Sequence, residues 1–345
     1  MRYPPEFKDV IQKRILAGES LNSLSNETGI PRRTLGRWRD KNAEMTKRMT
    51  HEFAVPELPS KERTADEIFE ARRTKFKKVK DYYESRRCID VQVNIDGPIG
   101  IAHFGDPHLD CDGCDIELFK RHCDIVNNTE GMFAGNVGDI LNNWVGRLER
   151  LYADQTTTAA EGWVLAEWML REIPWLYILG GNHDCWSGHR DPMKWLTATL
   201  GQPYVNHGTR LRLNFPNGRH VTMNVAHDFK GHSQYNSVHG GMKKAMRWAD
   251  DIYVCGHRHH TGQGLVVDPK TGTACHVIRV DSYKVYDEYP QQLGIDETFL
   301  SPCVVTIIDP YWTNPRDKVL VCLSPRRAAE ILGDMRNRWK TTPAS

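Results

Sequence analysis

Residues 175–184 read WLYILGGNHD, from Trp175 to Asp184. Five apolar residues in a row, with Pro174 before them and Gly180 after, have the length and bounds of a buried strand. The exit from that strand changes character at once: two glycines, an amide, an imidazole and a carboxylate. The same change recurs four more times. Gly105-Asp106-Pro107-His108 follows PIGIAHF, and Gly138-Asp139-Ile140-Leu141-Asn142 follows the run 132–137. Ala226-His227-Asp228 closes the run 221–226, and Gly256-His257-Arg258-His259 follows 252–255. Helical stretches lie between these runs, so the pattern predicts an α/β fold. Beyond residue 260, runs 264–268 and 274–280 flank Pro269-Lys270-Thr271-Gly272 and predict antiparallel sheet. Loops at the carboxyl ends of strands in α/β folds gather into one crevice. The five motifs are therefore expected together in space.

Carboxylate, imidazole and amide without thiolate suit Mn, Fe, Zn or Ni. In Asp106-x-His108 and His257-x-His259, residues two apart on an extended segment point to one side, so both reach one ion. Two ions ~3.5–4 Å apart need a bridging carboxylate; together they polarise a phosphoryl oxygen and generate hydroxide near neutral pH.

Taken in order, the five motifs resemble the calcineurin-like metallophosphoesterase superfamily, whose pattern is DxH, GDxxD/N, GNHD/E, H and GHxH. The resemblance covers roughly residues 99–285. It implies a β-sandwich flanked by helices, with two divalent ions at one edge: manganese first, with Fe, Zn, Ni or Mg as alternatives. It implies that Asp106, His108 and His259 hold one ion, that Asn182, His227 and His257 hold the other, and that Asp139 bridges them. His183 would stabilise the transition state or protonate the leaving oxygen, and Asp184 would orient His183 by a hydrogen bond. The second motif ends in Asn142 rather than Asp, and the chain has Asp228 where many relatives have Gly. It lacks the Val-Asp-Arg-Gly continuation of Ser/Thr protein phosphatases. Asn143-Trp144-Val145-Gly146 is similar to the continuation in UDP-sugar-lipid pyrophosphatases, which usually carry Arg where His183 stands. None of these departures removes a ligand.

The other polar residues of the region carry plainer expectations. His103, His122, His207 and His276 read as ordinary core or surface histidines. Asp110, Asp112 and Asp115 lack the spacing of a calcium loop and read as a polar rim. Cys111 and Cys114 form one CxxC with no second pair and read as structural thiols.

Upstream, residues 1–53 predict three short helices. Phe7, Val10, Ile11 and Ile15 recur at helical spacing as far as Gly18, and Ser20 stands where it can cap a second helix carrying Leu21 and Leu24. Gly29 breaks that helix, and Pro31 opens a third, expected to reach Asn42. The set Leu24, Gly29, Ile30, Leu35 and Trp38 resembles the helix-turn-helix of transposase-type and phage regulatory proteins. That resemblance implies a DNA-binding role for Arg32, Arg33, Thr34, Arg37 and Arg39. Residues 54–60 read as a linker. Thr64 and Glu67 have capping-box spacing and start a basic helix expected to reach Ser85, with Ile68, Phe69, Phe76, Val79, Tyr82 and Tyr83 as its apolar side. The expected organisation is thus 1–53, a helix-turn-helix domain; 54–87, linker and basic helix; 88–323, a metallophosphoesterase domain; 324–345, a basic tail.

Charge follows the same division. The net charge of +2 resolves into +5 over residues 1–50, −2 over 51–60, +4 over 61–87, −8 over 88–323 and +3 over 324–345. Basic ends suit a polyanion. Nine scattered cysteines argue against a disulfide scaffold. The first residues lack a signal-peptide core, and no run is long enough to span a bilayer. A cytoplasmic protein with no membrane partner is the expectation.

The function these readings predict is a metal-dependent phosphoesterase acting as a DNA nuclease or phosphodiesterase. The pairing with a DNA module looks like a phage or mobile-element protein and is compatible with a homodimer. Two alternatives stand beside it: a phosphomonoesterase or protein phosphatase targeted to nucleoprotein, and a non-catalytic DNA-binding regulator.

Overall fold

The computed structural model describes residues 3–52, 61–187, 191–231, 233, 235–286 and 301–341. The linker expected at 54–60 lies outside them. The chain divides into two compact units, Met1–Lys75 and Phe76–Ser345.

The smaller unit opens with α1 (Pro5–Leu16), α2 (Leu21–Thr28) and α3 (Arg32–Glu52). Ile11, Ile15, Leu24, Ile30 and Leu35 form its core, with Tyr3, Leu21 and Trp38 against it. Gly29 ends α2 with φ +68°, the left-handed conformation that glycine adopts at a helix C-terminus without a Cβ penalty. Ser20 occupies the N-cap position, but its hydroxyl makes no capping hydrogen bond. Phe7 and Val10 lie on the exposed side of α1, so only half of its apolar spacing is used for packing. The third helix runs past Asn42 to Glu52 because nothing in that stretch breaks it. Arg32, Arg33, Arg37 and Arg39 are exposed on it and Thr34 is half-buried; Arg39 pairs with Asp40 at 2.9 Å.

The next helix, α4 (Ala65–Ser85), crosses the division between the units. The capping box at its start forms: the Thr64 amide donates to Glu67 Oε2 at 2.7 Å, and the Glu67 amide to Thr64 Oγ1 at 3.3 Å. None of its apolar side is buried.

In chain order the larger unit continues with β1 (Ile89–Gln92), β2 (Ile99–Phe104), α5 (Ile116–Asn128), β3 (Met132–Asn136), a 3-10 helix (Gly146–Asp154), α6 (Ala159–Glu172) and β4 (Trp175–Gly180). Then come α7 (Asn182–Cys185), α8 (Pro192–Thr199), β5 (Tyr204–Asn206), β6 (Gly208–Asn214), β7 (His220–Ala226), α9 (His239–Trp248) and β8 (Ile252–Cys255). The last elements are β9 (Gly262–Val267), β10 (Ala274–Arg279), β11 (Cys303–Ile308), β12 (Val319–Cys322) and α10 (Pro325–Thr341). Among the described residues no helix is long and apolar enough to cross a membrane.

The strands form two six-stranded mixed sheets, ordered β1-β6-β7-β8-β10-β9 and β12-β11-β2-β3-β4-β5. The turn at Asp96-Gly97-Pro98 does not close a hairpin: β1 pairs with β6 and β2 with β3 and β11, so it carries the chain from one sheet to the other. The expected hairpin β9–β10 does form. Side-chain alternation explains the layering. Ile99 and Ile101 of β2 enter a core shared with Val221, Met223 and Val225 of β7, between the sheets. Ala102 and Phe104 point the other way, into a core with Phe119 of α5, Leu170 of α6 and Leu196 of α8. Ala245 of α9 covers the opposite outer face with Tyr253 and Val277. The fold is therefore a two-sheet α/β sandwich flanked by helices. The basic C-terminal segment belongs to it rather than trailing from it, since α10 buries Ala328 and Leu332 in the same core as Phe104.

Candidate metal centre

All five motifs start where a strand ends: β2 at Phe104, β3 at Asn136, β4 at Gly180, β7 at Ala226 and β8 at Cys255. The strands β2, β3 and β4 are mutually parallel in one sheet, and β7 and β8 in the other. Their carboxyl ends thus deliver the loops to one edge of the sandwich.

Hydrogen bonds stitch the loops into a ring. The His108 amide donates to the Asp139 carbonyl at 3.1 Å, and the Gly256 amide to the His227 carbonyl at 3.0 Å. The His257 amide donates to Asp106 Oδ2 at 2.6 Å, and the His183 amide to Asp139 Oδ1 at 2.9 Å. Glycine is needed where the ring is tightest. A Cβ on Gly181 would stand 2.1 Å from Asp139 Oδ1, and one on Gly256 2.9 Å from Asp106 Oδ1. His108, Asp139, His257 and His259 adopt φ of +44°, +52°, +68° and +47°. Such φ values cost L-residues free energy and gather where function over-determines the backbone.

The side chains converge. His227 Nε2 lies 2.9 Å from Asn182 Oδ1, 3.0 Å from His257 Nδ1 and 3.2 Å from Asp139 Oδ2. Its Nδ1 faces the Val137 carbonyl at 2.8 Å; a carbonyl only accepts, so Nδ1 carries the hydrogen and Nε2 faces the cluster. Asp106 Oδ1 is 3.6 Å from His227 Nδ1, and Asp106 Oδ2 is 3.7 Å from His259 Nε2. The His108 ring is 5.2 Å from that of His259 and 4.9 Å from that of His183. Two sets of ligand atoms fall within 4.8 Å of one another: those of His108, Asp139 and His183, and those of Asp139, His227 and His257. All seven residues expected as ligands are thus brought to one place.

Their surroundings suit cations. Asp106 Oδ1 and both ring nitrogens of His108 are buried without a hydrogen-bond partner, which is costly unless something else satisfies them. Burial drives the Asp106 carboxyl well above the usual range, with the Asp139 charge adding to it. Burial likewise drives His108 well below the usual imidazole range, helped by His183 and His259. At Asp139 burial also pushes upward, but the charge and hydrogen bond of His227 outweigh it and hold that carboxyl low. Burial works against a charged His227 too, yet Asp139 and Asp106 raise it to about 10. A divalent ion would supply positive charge where the buried carboxylates lack it and would take the orphaned lone pairs of Asp106 and His108. The donor set fits one or more such ions.

His183 stands at the cluster with a defined tautomer. Its Nδ1 lies 2.6 Å from the Asn142 carbonyl, so Nδ1 carries a hydrogen, while Nε2 is 4.0 Å from Asp139 Oδ2. This differs from the expected role of Asp184. That carboxylate is buried and spends its oxygens on backbone amides: Asp139 at 2.7 Å, Gly181 at 2.9 Å and Ile140 at 3.2 Å. It shapes the loop carrying Asp139, and burial with the Asp139 charge pushes it up to about 7.

Three supporting residues escape the motif reading. Asp110 is no rim residue: it is buried, and its Oδ1 accepts from the Asn142 amide at 2.7 Å, fixing the carbonyl that holds His183. Asn143 Nδ2 donates to the His183 carbonyl at 2.7 Å. Arg279 is fully buried and donates to the Gly256 carbonyl, to the Ser237 carbonyl at 2.8 Å and to Asp228 Oδ1 at 2.9 Å. It clamps the residue just before His257 and explains the carboxylate at position 228. Asp112 and Asp115 bond the amides of Thr156 and Leu118, and His103 and His122 bond Tyr177 and Tyr283 in the core.

Fold and site together define a two-sheet α/β protein with a candidate metal centre of oxygen and nitrogen ligands. No protein-family model and no curated protein matches the chain. Among solved structures it is similar to Vps29 of Entamoeba histolytica complexed with zinc, at 12% identity over 65% of this chain and 97% of that one, TM-score 0.33. It is similar to NAD nucleotidase of Haemophilus influenzae at 11% identity over 65% of this chain and 49% of that one, TM-score 0.40. At these scores neither likeness carries the functional argument, which rests on the residues above.

Proposed function

We propose that this chain is a metal-dependent phosphodiesterase of the metallophosphoesterase kind whose substrate is DNA. The convergence of seven oxygen and nitrogen donors, with buried orphan atoms on Asp106 and His108, carries the reading. By the motif resemblance, Asp106, His108 and His259 would hold one ion and Asn182, His227 and His257 the other, with Asp139 between them. Bound there, two divalent ions, manganese first among the candidates, supply charge for a phosphoryl oxygen and a more acidic water. The residues do the rest. His183, pinned at Nδ1 by Asn142, presents Nε2 as the group that holds the proton for the leaving oxygen. Asp184 and Asp110 hold the two ends of the loop on which Asp139 and Asn142 lie.

The DNA part of the reading is supported by the small helical unit, which exposes Arg32, Arg33, Arg37 and Arg39 on one helix. Such residues supply phosphate contacts and salt-dependent affinity, and the −8 of residues 88–323 is offset locally by bound cations.

Labelled duplex and single-stranded DNA, incubated with the full chain and Mn2+, test this. Cleavage by the wild type and none by Asp139→Ala is the expected result. Hydrolysis of p-nitrophenyl phosphate but of neither DNA nor bis-p-nitrophenyl phosphate would move the substrate to the phosphomonoesters.

A further inference from the structure

Two tryptophans flank His183. The Trp186 ring centroid lies 4.0 Å from that of His183, and the Trp144 centroid lies 5.3 Å from His183 and 6.1 Å from Trp186. Neither indole belongs to an apolar core of the sandwich. Trp186 is 37% exposed and Trp144 half-buried, an arrangement that leaves large apolar faces at the rim of a polar site. Trp144 is nevertheless held firmly. Its indole N–H donates to Gln155 Oε1 at 3.2 Å, and Gln155 Nε2 donates to the Thr157 carbonyl at 2.7 Å. Lys284 places its ammonium 5.8 Å from the Trp144 ring centre.

A phosphoserine offers no ring to lie on such surfaces. A nucleic-acid strand does, because every phosphate is flanked by bases with π-faces, and base–aromatic stacking is the common device of single-strand binding. We propose that Trp144 and Trp186 form a stacking subsite for the nucleobase next to the scissile phosphate. The proposal rests on the phosphodiesterase reading and makes it narrower. A base can lie on these rings only when unstacked from its neighbours, so single strands and frayed ends are preferred over intact duplex.

The test uses the full chain with Mn2+ and two single-stranded oligonucleotides, one intact and one with abasic residues flanking a single phosphate. From the usual worth of one stacked base, kcat/KM at the abasic position falls roughly 5- to 150-fold. In Trp144→Leu and Trp186→Leu the ratio of intact to abasic rates collapses toward one, with the melting temperature and Mn2+ uptake of each variant measured alongside. Equal wild-type rates at both positions overturn the subsite and leave the phosphodiesterase reading standing. Equal losses on both strands in the variants also overturn it, because the rings would then serve only to hold His183. Cleavage of neither strand removes the phosphodiesterase reading and the subsite with it.

Discussion

Alanine in place of His183 is expected to lower kcat by about 10²–10⁴-fold, the usual worth of a positioned acid or base, while Mn2+ uptake stays at the wild-type level. The geometry separates the two roles. His183 is anchored at its amide by Asp139 and at Nδ1 by the Asn142 carbonyl, and offers the cluster a single nitrogen. A group that only moves a proton leaves substrate affinity nearly unchanged when removed, so KM should hold. The pH profile gives an independent reading. Burial lowers the His183 pKa, with the Asp139 charge and the Asn142 hydrogen bond opposing it. An acid must be protonated to work, so kcat falls as pH rises through that pKa, and the alanine variant should lack this alkaline limb. Loss of Mn2+ uptake in His183→Ala would instead make it a ligand, a role its place within 4.8 Å of His108 and Asp139 ligand atoms makes worth testing.

Arg279→Met should produce the largest loss of stability. The guanidinium is buried and binds two backbone carbonyls and the Asp228 carboxylate. Methionine fills much of the volume but removes three donors at once. The Ser237 carbonyl loses its partner, while the Gly256 carbonyl keeps only the Arg258 amide at 2.9 Å and Asp228 only the Arg258 guanidinium at 3.4 Å. Breaking one side of such a pair costs about 3 kcal/mol, the low end of the buried range, because Asp228 is part-exposed. For a unit of this size that corresponds to a fall in Tm of roughly 10 °C. The Gly256 carbonyl loses its side-chain clamp just before His257, whose φ of +68° needs outside support, so Mn2+ affinity should fall as well. Calorimetric melting and metal titration check both effects. An unchanged Tm would mean that Arg279 does not clamp the loop.

The candidate metal-ligand motifs were legible because chemistry fixes both residue type and spacing. An apolar run followed by glycine and a carboxylate or imidazole needs no tertiary knowledge to be noticed. Partners distant in sequence were not legible. Arg279 meets Asp228 across 51 residues and Asp110 meets Asn142 across 32, and neither carries a local signal. The hold on His183 comes from the backbone carbonyl of Asn142, which any residue would provide, so side-chain identity at 142 says nothing about it. The spacing of Asp184 from Gly181 suits a carboxylate reaching back three residues to an amide, and its oxygens serve that amide and those of Asp139 and Ile140. Among the strands, β6 carries a local signal of its own, since Thr209, Leu211 and Leu213 alternate with Arg210 and Arg212. Sheet order was beyond reach, since β11 joins β2 from some 200 residues away.

Titration of Mn2+ into the metal-free full chain, followed calorimetrically for wild type and Asp139→Asn, tests the central claim most directly. The account predicts saturable uptake of about two ions per chain, as a bridged two-metal site requires, and its collapse in Asp139→Asn. No saturable uptake by the wild type, or uptake indifferent to Asp139, would contradict it.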